Sequence, residues 1–191
     1  SLDPNFDIHT LRLRDWGQQD LHKALSWLKD FAPQHKIAAL GHSIGGQLIG
    51  LASNNYLLDS VLTVASQIGY WGHWPSIGKR LQINLLTGLA LPATVKSLGR
   101  LPGFAMGGVP LPAEIALEWA RWCQHPRYFV DEHGAALTTY FERFNGPARF
   151  YAIADDHFYA PESAVKALSR RYVAADGEVV WRHPSHWGAR E

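Results

Sequence analysis

The sequence has 191 residues, with 18 Lys and Arg against 17 Asp and Glu, so that its formal net charge is +1. This length suits one domain with a sizeable core, and the near-neutral charge balance gives no indication of nucleic acid or of an anionic membrane as a partner. The longest apolar stretch, 81–98, is interrupted by polar residues and a proline, so no membrane span is predicted. The single cysteine, Cys123, excludes an internal disulfide, and we expect a cytoplasmic protein.

Apolar periodicity predicts alternating helices and strands. Apolar residues at helical spacing before Pro33 predict the first helix, and Gly177 predicts a turn before the last strand. Such alternation is typical of an α/β domain with a parallel, doubly wound sheet that helices cover on both faces. The predicted elements, in chain order, are helix 15–32, strand 36–40, a helix to about Ala52, strand 61–65, strand 148–154, helix 162–171 and strand 178–181.

A long segment separates the second and third predicted strands. It has about 80 residues, whereas a crossover between parallel strands needs only a dozen or two. We therefore predict that 67–146 is an inserted cap, and that 1–66 and 147–191 together form the core of the domain.

The predicted cap is rich in aromatic residues. Its helix 112–123 places Ile115, Trp119 and Trp122 on one face. These aromatic residues either form a core of the cap itself or line an apolar pocket beneath a lid, and both alternatives stay open because a lid also needs a core.

Residues 41–46 carry the most informative motif, Gly-His-Ser-Ile-Gly-Gly, between a predicted strand and a predicted helix. Gly-x-Ser-x-Gly in this context is typical of a tight strand-to-helix turn that exposes a serine hydroxyl. The first N–H groups of the helix that follows are unpaired and would face the negative charge that develops in acyl transfer. Ser43 is thus a candidate nucleophile, and the alternative is a glycine-rich turn in which the serine only caps the helix.

A serine nucleophile needs a base and an acid, and in doubly wound hydrolases they follow the serine in the order Asp, His, on loops after later strands. Asp155 and Asp156 follow the third predicted strand, and His183 and His186 follow the fourth. We favour Asp156 as the acid, with Asp155 as its close rival. The pair lies at the exit of the strand, where one of two adjacent carboxylates usually caps the next turn or helix. We favour His186 as the base over His183, because His183 is a strand-end residue.

Ten histidines raise the alternative of a metal site. The sequence has neither a His-Glu-x-x-His nor a Cys-x-x-Cys pair, and no glycine-rich phosphate loop follows a strand. We therefore predict no metal and no cofactor.

With these residues placed, the sequence resembles the α/β-hydrolase superfamily, and within it a bacterial branch of serine esterase-like proteins with a helical cap. The segments that carry the resemblance are Arg-Asp-Trp-Gly at 14–17, Gly-His-Ser-Ile-Gly-Gly-Gln at 41–47, Thr-Val-Ala-Ser-Gln at 63–67, Ala-Leu-Glu-Trp-Ala-Arg-Trp-Cys at 116–123 and Asp-Asp at 155–156.

The resemblance implies an α/β-hydrolase fold with a mostly parallel sheet, with Ser43 as nucleophile, Asp156 as acid and His186 as base. The backbone N–H of Ile44 would form half of the oxyanion hole. Family members carry further strands, and the loop with the second oxyanion N–H, before the first helix found here. Ser-His-Trp-Gly at 185–188 also stands where Gly-His is commoner. We expect these 191 residues to be the carboxy-terminal part of a longer protein.

The hypothesis that follows is a serine hydrolase that cleaves a small-molecule carboxylic ester through an acyl-enzyme on Ser43. The acyl group would occupy an aromatic pocket beneath the cap, and a homo-oligomer would form through the cap. The alternative is a non-catalytic binding or scaffold protein that keeps the fold and uses the aromatic cap to hold a ligand.

Overall fold

A four-stranded parallel sheet forms the centre of the protein. The computed structural model describes residues 10–105, 108–137 and 140–188, with the backbone alone at Ala105, His186 and Trp187. The sheet contains, in spatial order, β1 (Ala38–His42), β2 (Ser60–Val64), β5 (Pro147–Ile153) and β6 (Asp176–Arg182). Two short strands, β3 (Arg100–Leu101) and β4 (Leu111–Pro112), form a separate antiparallel pair.

Helices connect and cover these strands. The α-helices are α1 (Leu13–Asp15), α2 (His22–Phe31), α3 (Ile44–Leu48), α4 (Ile77–Leu85), α5 (Leu91–Leu98), α6 (Ala113–Gln124) and α7 (Glu162–Ser169). Two π-helical stretches, Trp16–Leu21 and Leu86–Ala90, join α1 to α2 and α4 to α5. Short 3-10 turns lie at Ile49–Leu51, Asn55–Leu57, Trp71–His73, Gly103–Ala105, Phe141–Arg143 and Pro184–Trp187. No helix in the described ranges is long and apolar enough to cross a membrane.

The predicted α/β alternation with a parallel sheet is confirmed. β1 pairs with β2, β2 with β5 and β5 with β6, all in parallel. The predicted turn at Gly177 is wrong, because Gly177 lies inside β6 and pairs with Ala148 of β5. The chain reverses before Asp176 instead, and a glycine can occupy a strand without a turn.

β1 lies at an edge of the sheet formed by the described strands. It pairs with β2 alone, and Leu40 is 76% exposed. The apolar side chain of Leu40, in the predicted strand 36–40, is therefore exposed. An apolar run indicates that a strand forms, but it cannot say whether the strand has neighbours on both sides.

The main core lies against the sheet and extends into the predicted cap. β5 turns Ala148, Phe150 and Ala152 into it, and Trp122 and Tyr128 from the predicted cap belong to the same cluster. These aromatic residues therefore do not form a separate core of the cap. A second, smaller cluster joins α5 to α6 through Leu91, Val95, Leu101, Ala116 and Ala120. The division into a core of 1–66 and 147–191 and a cap of 67–146 stays a prediction.

A buried carboxylate joins the first helix to the predicted cap. Glu118 of α6 is 1% exposed, and its Oε2 accepts the backbone N–H of Arg14 at 3.0 Å. The Arg14 guanidinium lies 3.5 Å from Glu118 Oε1 and 2.8 Å from the carboxylate of Glu132. Arg14 and Glu118 thus join two segments that carry the family resemblance, 14–17 and 116–123.

Glu118 should make stability depend on pH. Burial raises the pKa of Glu118, against the opposing effect of Arg14. The folded protein then holds this proton more tightly than the unfolded chain, so the free energy of unfolding falls as the pH rises through the folded-state pKa. Glu118→Gln removes this contribution, and we expect the free energy of unfolding of the variant, relative to that of the wild type, to increase between about pH 4 and pH 7. Urea unfolding of both proteins over this pH range measures the difference between their free energies of unfolding. A difference that stays constant with pH would contradict the prediction.

Candidate active site

Ser43 lies at the turn between β1 and α3 in a strained backbone conformation. Its φ of 49° and ψ of −122° fall where residues other than glycine rarely lie, at a cost on the order of 1–3 kcal/mol. Hydrogen bonds hold this conformation from both sides. The Ser43 N–H donates to the carbonyl of Val64 on β2 at 3.0 Å, and the Ser43 carbonyl accepts the N–H groups of Gly46 and Gln47.

Two glycines allow β1 and α3 to meet at this turn. A Cβ on Gly41 would lie 2.4 Å from the Cα of Gly46, and a Cβ on Gly46 would lie 2.2 Å from Ser66 Oγ. Gly45, the second glycine of the Gly-x-Ser-x-Gly pattern, has no atom within 4 Å of its Cβ position. The close approach therefore depends on Gly41 and Gly46.

A cavity of about 380 Å³ lies beside Ser43, and Ser43 forms part of its wall. Most of the wall is apolar and comes from the predicted cap, with Ile83 from α4 and Trp119 from α6 among the lining side chains. The π-helical stretch Leu86–Ala90 contributes three of its residues to the same wall. Trp119 therefore lines a pocket, which is the second of the two alternatives given for the aromatic residues of the cap. Trp122, from the same helix, lies in the main core.

Ile44 is the first residue of α3. A helix has no internal acceptor for the N–H groups of its first turn, so the Ile44 N–H is available to a group outside the helix. It lies next to Ser43 in the chain, which is the position expected of an oxyanion donor. Its assignment to an oxyanion hole stays a prediction.

Asp155 and Asp156 lie in the loop that follows β5. Asp156 is half-buried, and its Oδ1 accepts the backbone N–H of Tyr159 at 2.8 Å. Asp155 is exposed. The carboxylate that caps this turn is therefore Asp156 itself, so the capping bond does not separate the favoured acid from Asp155. The choice between the two aspartates stays a prediction.

The two candidate bases follow β6. His186 lies in the 3-10 turn Pro184–Trp187, and its side chain is outside the described residues. The Nδ1 of His183 lies 2.7 Å from the hydroxyl of Ser185. The Ser43 hydroxyl has no hydrogen-bond partner among the residues that the structure describes.

The topology nevertheless brings the three predicted positions to one edge of the sheet. β1, β5 and β6 are parallel, so their carboxyl ends meet at the same edge. Ser43 directly follows β1, Asp156 lies in the loop after β5, and His186 lies in the turn after β6. Ligands of open α/β sheets bind at this edge.

A chain of buried hydrogen bonds, which the sequence analysis missed, supports the site. The hydroxyl of Tyr128 donates to Gln47 Oε1 at 2.8 Å, and Gln47 Nε2 donates to Gln67 Oε1 at 2.8 Å. Both glutamines are buried, and burial raises the pKa of Tyr128, so the phenol remains a donor. The sequence held a signal for this pair, because Gln47 and Gln67 are the last residues of two segments that carry the family resemblance, 41–47 and 63–67.

The same chain of hydrogen bonds continues to the loop that carries the candidate acid. Gln67 Nε2 donates to the carbonyl of Tyr159 at 2.9 Å, and the indole N–H of Trp74 donates to the carbonyl of Phe158 at 2.9 Å. Side chains from the segment after β2 thus fix the backbone just beyond Asp156.

The cavity wall also contains a thiol. Cys123 lines the cavity, but burial raises the pKa of its thiol, so the thiolate that would act as a nucleophile is disfavoured. Within the described ranges, no three side chains of His, Cys, Asp or Glu are grouped so that they could hold a metal ion.

No protein-family model matches the sequence, and no curated protein matches it. Among solved structures, the chain is similar to the monoacylglycerol lipase of Paleococcus ferrophilus, with a TM-score of 0.51 and 12% identity over 86% of this chain. The chain has the α/β-hydrolase fold. It spans 65% of the length of that lipase, which is less than two thirds.

Two further solved structures are similar to this chain. An α/β-fold family hydrolase from Bacillus anthracis is 13% identical, with a TM-score of 0.48, and the match covers 88% of this chain and 67% of the other. A hydrolase from Oleispira antarctica is 12% identical, with a TM-score of 0.47, and the match covers 93% and 68%.

The glycine requirement at the strand-to-helix turn before α3 can be tested with a matched pair of variants. Gly41→Ala forces a Cβ onto the backbone of Gly46, which cannot move away, and we expect a loss of about 3 kcal/mol in the free energy of unfolding. Gly45→Ala has open space, so its free energy of unfolding should stay within about 1 kcal/mol of the wild-type value. Urea unfolding measures both, and equal losses would contradict the assignment.

The buried glutamine pair should be coupled in a double-mutant cycle. Gln47→Leu leaves the Tyr128 hydroxyl and Gln67 without their partner, and we expect it to lower the free energy of unfolding by about 2 kcal/mol. Adding Gln67→Leu should cost less than it does alone, with a coupling energy of about 1 kcal/mol. Gln19→Leu, at an exposed position, is the control and should change stability by about 0.5 kcal/mol or less. Additive losses would show that the glutamines act independently.

Proposed function

We propose that the protein is a serine hydrolase that cleaves carboxylic esters through an acyl-enzyme on Ser43. The observation that carries this proposal is a serine in a strained turn at the carboxyl end of β1, in the wall of a largely apolar cavity. The α/β-hydrolase fold, shared with a monoacylglycerol lipase, supports the proposal.

The proposed reaction uses three side chains and one backbone N–H. His186 accepts the proton of the Ser43 hydroxyl as Oγ attacks the ester carbonyl carbon, and Asp156 orients the imidazole and stabilises its positive charge. The Ile44 N–H donates to the oxyanion of the tetrahedral intermediate. His186 then returns the proton to the leaving alcohol. Water, activated in the same way, releases the acid from Ser43.

The cavity supports an apolar acyl or alcohol group as the part of the substrate that is bound. Its volume of about 380 Å³ lies at the lower end of the range of small-molecule sites. Ile83, Trp119 and Phe158 offer apolar contacts, and Gln67 is among the few polar residues of the wall. We therefore propose a small or medium acyl group as the preferred one.

Labelling by a fluorophosphonate tests the nucleophile. We expect a single covalent adduct on Ser43, detected by intact mass and peptide mapping, and hydrolysis of p-nitrophenyl butyrate by the wild type. Ser43→Ala should lose the adduct and lower kcat by about 10³-fold or more, because the hydroxyl is the attacking group.

Matched variants distinguish the favoured acid and base from their neighbours. Asp156→Asn and His186→Gln should each lower kcat by about 10³–10⁴-fold, whereas Asp155→Asn and His183→Gln should each change it by about threefold or less. A large loss for Asp155→Asn with a small one for Asp156→Asn would reverse the assignment of the acid.

The same assays test the non-catalytic alternative. No adduct on Ser43, together with hydrolysis that is unchanged by Ser43→Ala, would contradict the hydrolase proposal. Saturable binding of an apolar ligand to the cavity would then support a binding protein.

A further inference from the structure

A cluster of basic side chains lies beside Trp74, a residue of the cavity wall. The 3-10 turn Trp71–His73, just before Trp74, packs against α4 and against α7. Arg80 lies in α4, and Arg170 and Arg171 directly follow α7. We call the four side chains that these elements bring together the basic cluster: His73, Arg80, Arg170 and Arg171.

Hydrogen bonds hold the three elements in place. The Ser163 hydroxyl donates to the carbonyl of His73, which joins the first turn of α7 to the 3-10 turn. Arg80 Nε donates to the carbonyl of Trp74 at 2.7 Å, so this guanidinium lies against the residue that follows the turn. Arg170 continues the helical backbone of α7 and lies seven residues beyond Ser163. Residues seven apart lie on one face of a helix, so Arg170 is on the face of α7 that meets the turn.

The three arginines act electrostatically on His73. Burial lowers the pKa of His73 most, and the positive charges of the arginines lower it further. Among them Arg171 has the largest effect, followed by Arg170 and Arg80. No carboxylate of the described residues acts on His73 in the opposite direction. The ring of Tyr70 holds the imidazole from another side, with 5.6 Å between the two ring centres.

The positive charge of the basic cluster is not compensated. Arg171 is half-buried, and burial lowers the pKa of Arg171 without an opposing effect from any carboxylate in the described ranges. Its Nη2 donates to the neutral carbonyl of Arg127 at 3.0 Å. None of the ion pairs between described residues includes an arginine of the cluster. A half-buried charge without a counter-charge is costly, and a bound anion would lower that cost.

A phosphate dianion suits this cluster better than a carboxylate or a polynucleotide. Guanidinium groups bind phosphate oxygens through parallel pairs of hydrogen bonds, and three of them supply more positive charge than a carboxylate can balance. A polynucleotide needs cations spread along an exposed surface. Here His73 and Arg171 are half-buried, so the cluster is partly enclosed and fits a compact anion.

We propose that the basic cluster is a binding site for a phosphate dianion, either free or carried on a small molecule. Arg80 and Arg171 bind its oxygens, His73 donates a ring N–H, and Arg170 adds positive charge at the exposed side. The site is joined to the cavity through Trp74, whose carbonyl Arg80 binds. Phosphate binding needs no chemistry at Ser43, so this proposal goes beyond the hydrolase proposal and can be tested separately.

Isothermal titration calorimetry on the full chain tests the site with inorganic phosphate, glycerol 3-phosphate and acetate. We expect saturable binding of phosphate with a Kd on the order of 1 mM or lower, and binding of acetate at least about tenfold weaker. A gain of about tenfold or more for glycerol 3-phosphate would assign the site to organic phosphate, and a smaller gain or none to the free ion. Absence of saturable binding by both phosphate probes, or equal binding of acetate, would overturn the proposal.

Two variants change the charge and the geometry of the cluster. Arg80→Gln with Arg170→Gln should weaken phosphate binding by about tenfold or more, because two of the three guanidinium groups are lost. Both positions are exposed, so this variant should keep the wild-type circular dichroism spectrum and Tm. Arg171→Lys keeps the charge without the planar fork, and we expect a loss of about threefold or more. Wild-type phosphate binding by the folded double variant would contradict the proposal.

A matched control removes the same number of charges elsewhere. Lys23→Gln with Lys36→Gln replaces two exposed cations, and this variant should bind phosphate within about twofold of the wild type. A loss equal to that of the Arg80 and Arg170 variant would show a diffuse attraction by the whole surface and would reject a defined site. Ser43→Ala should bind phosphate as the wild type does, so a failure of the hydrolase proposal can be told from a failure of this one.

Proton NMR locates the bound phosphate. The ring resonances of His73, assigned with His73→Gln, should shift to saturation as phosphate is added, because the anion lies beside the imidazole. Those of His35, an exposed histidine before β1, should stay within about a tenth of that shift. A shift of His35 without one of His73 would place the phosphate elsewhere and contradict the proposal.

Discussion

The backbone contact between Gly41 and Gly46 is the constraint on which the candidate site depends. A strand and a helix can cross at backbone distance only where neither carries a side chain at the crossing. With both glycines in place, β1 ends and α3 begins within one residue, and Ser43 takes a positive φ that the hydrogen bond to Val64 and the bonds from α3 maintain. The position of Ser43 in the cavity wall and the availability of the Ile44 N–H both follow from this crossing.

Buried amides connect that turn to the rest of the proposed machinery. Gln47 on α3, Gln67 after β2 and the carbonyl of Tyr159 form one hydrogen-bonded path, and Tyr128 completes the bonds of Gln47. Polar groups in a dry interior must be paired, so each of them restrains its neighbours to one geometry. The loop that carries Asp156 is therefore positioned relative to Ser43 through the protein interior, without a direct contact between the two side chains.

The sequence by itself determined the order of helices and strands, the strand-to-helix turn at Ser43 and the placement of candidate residues after parallel strands, because periodicity and glycine positions act locally. Tertiary structure decided burial. It exposed Leu40 at a sheet edge, moved Trp122 into the main core while leaving Trp119 at the cavity, and joined Gln47 to Gln67. These outcomes depend on which distant segments pack together. The local sequence pattern around an apolar residue does not distinguish whether its side chain packs in the core, lines a cavity or faces solvent.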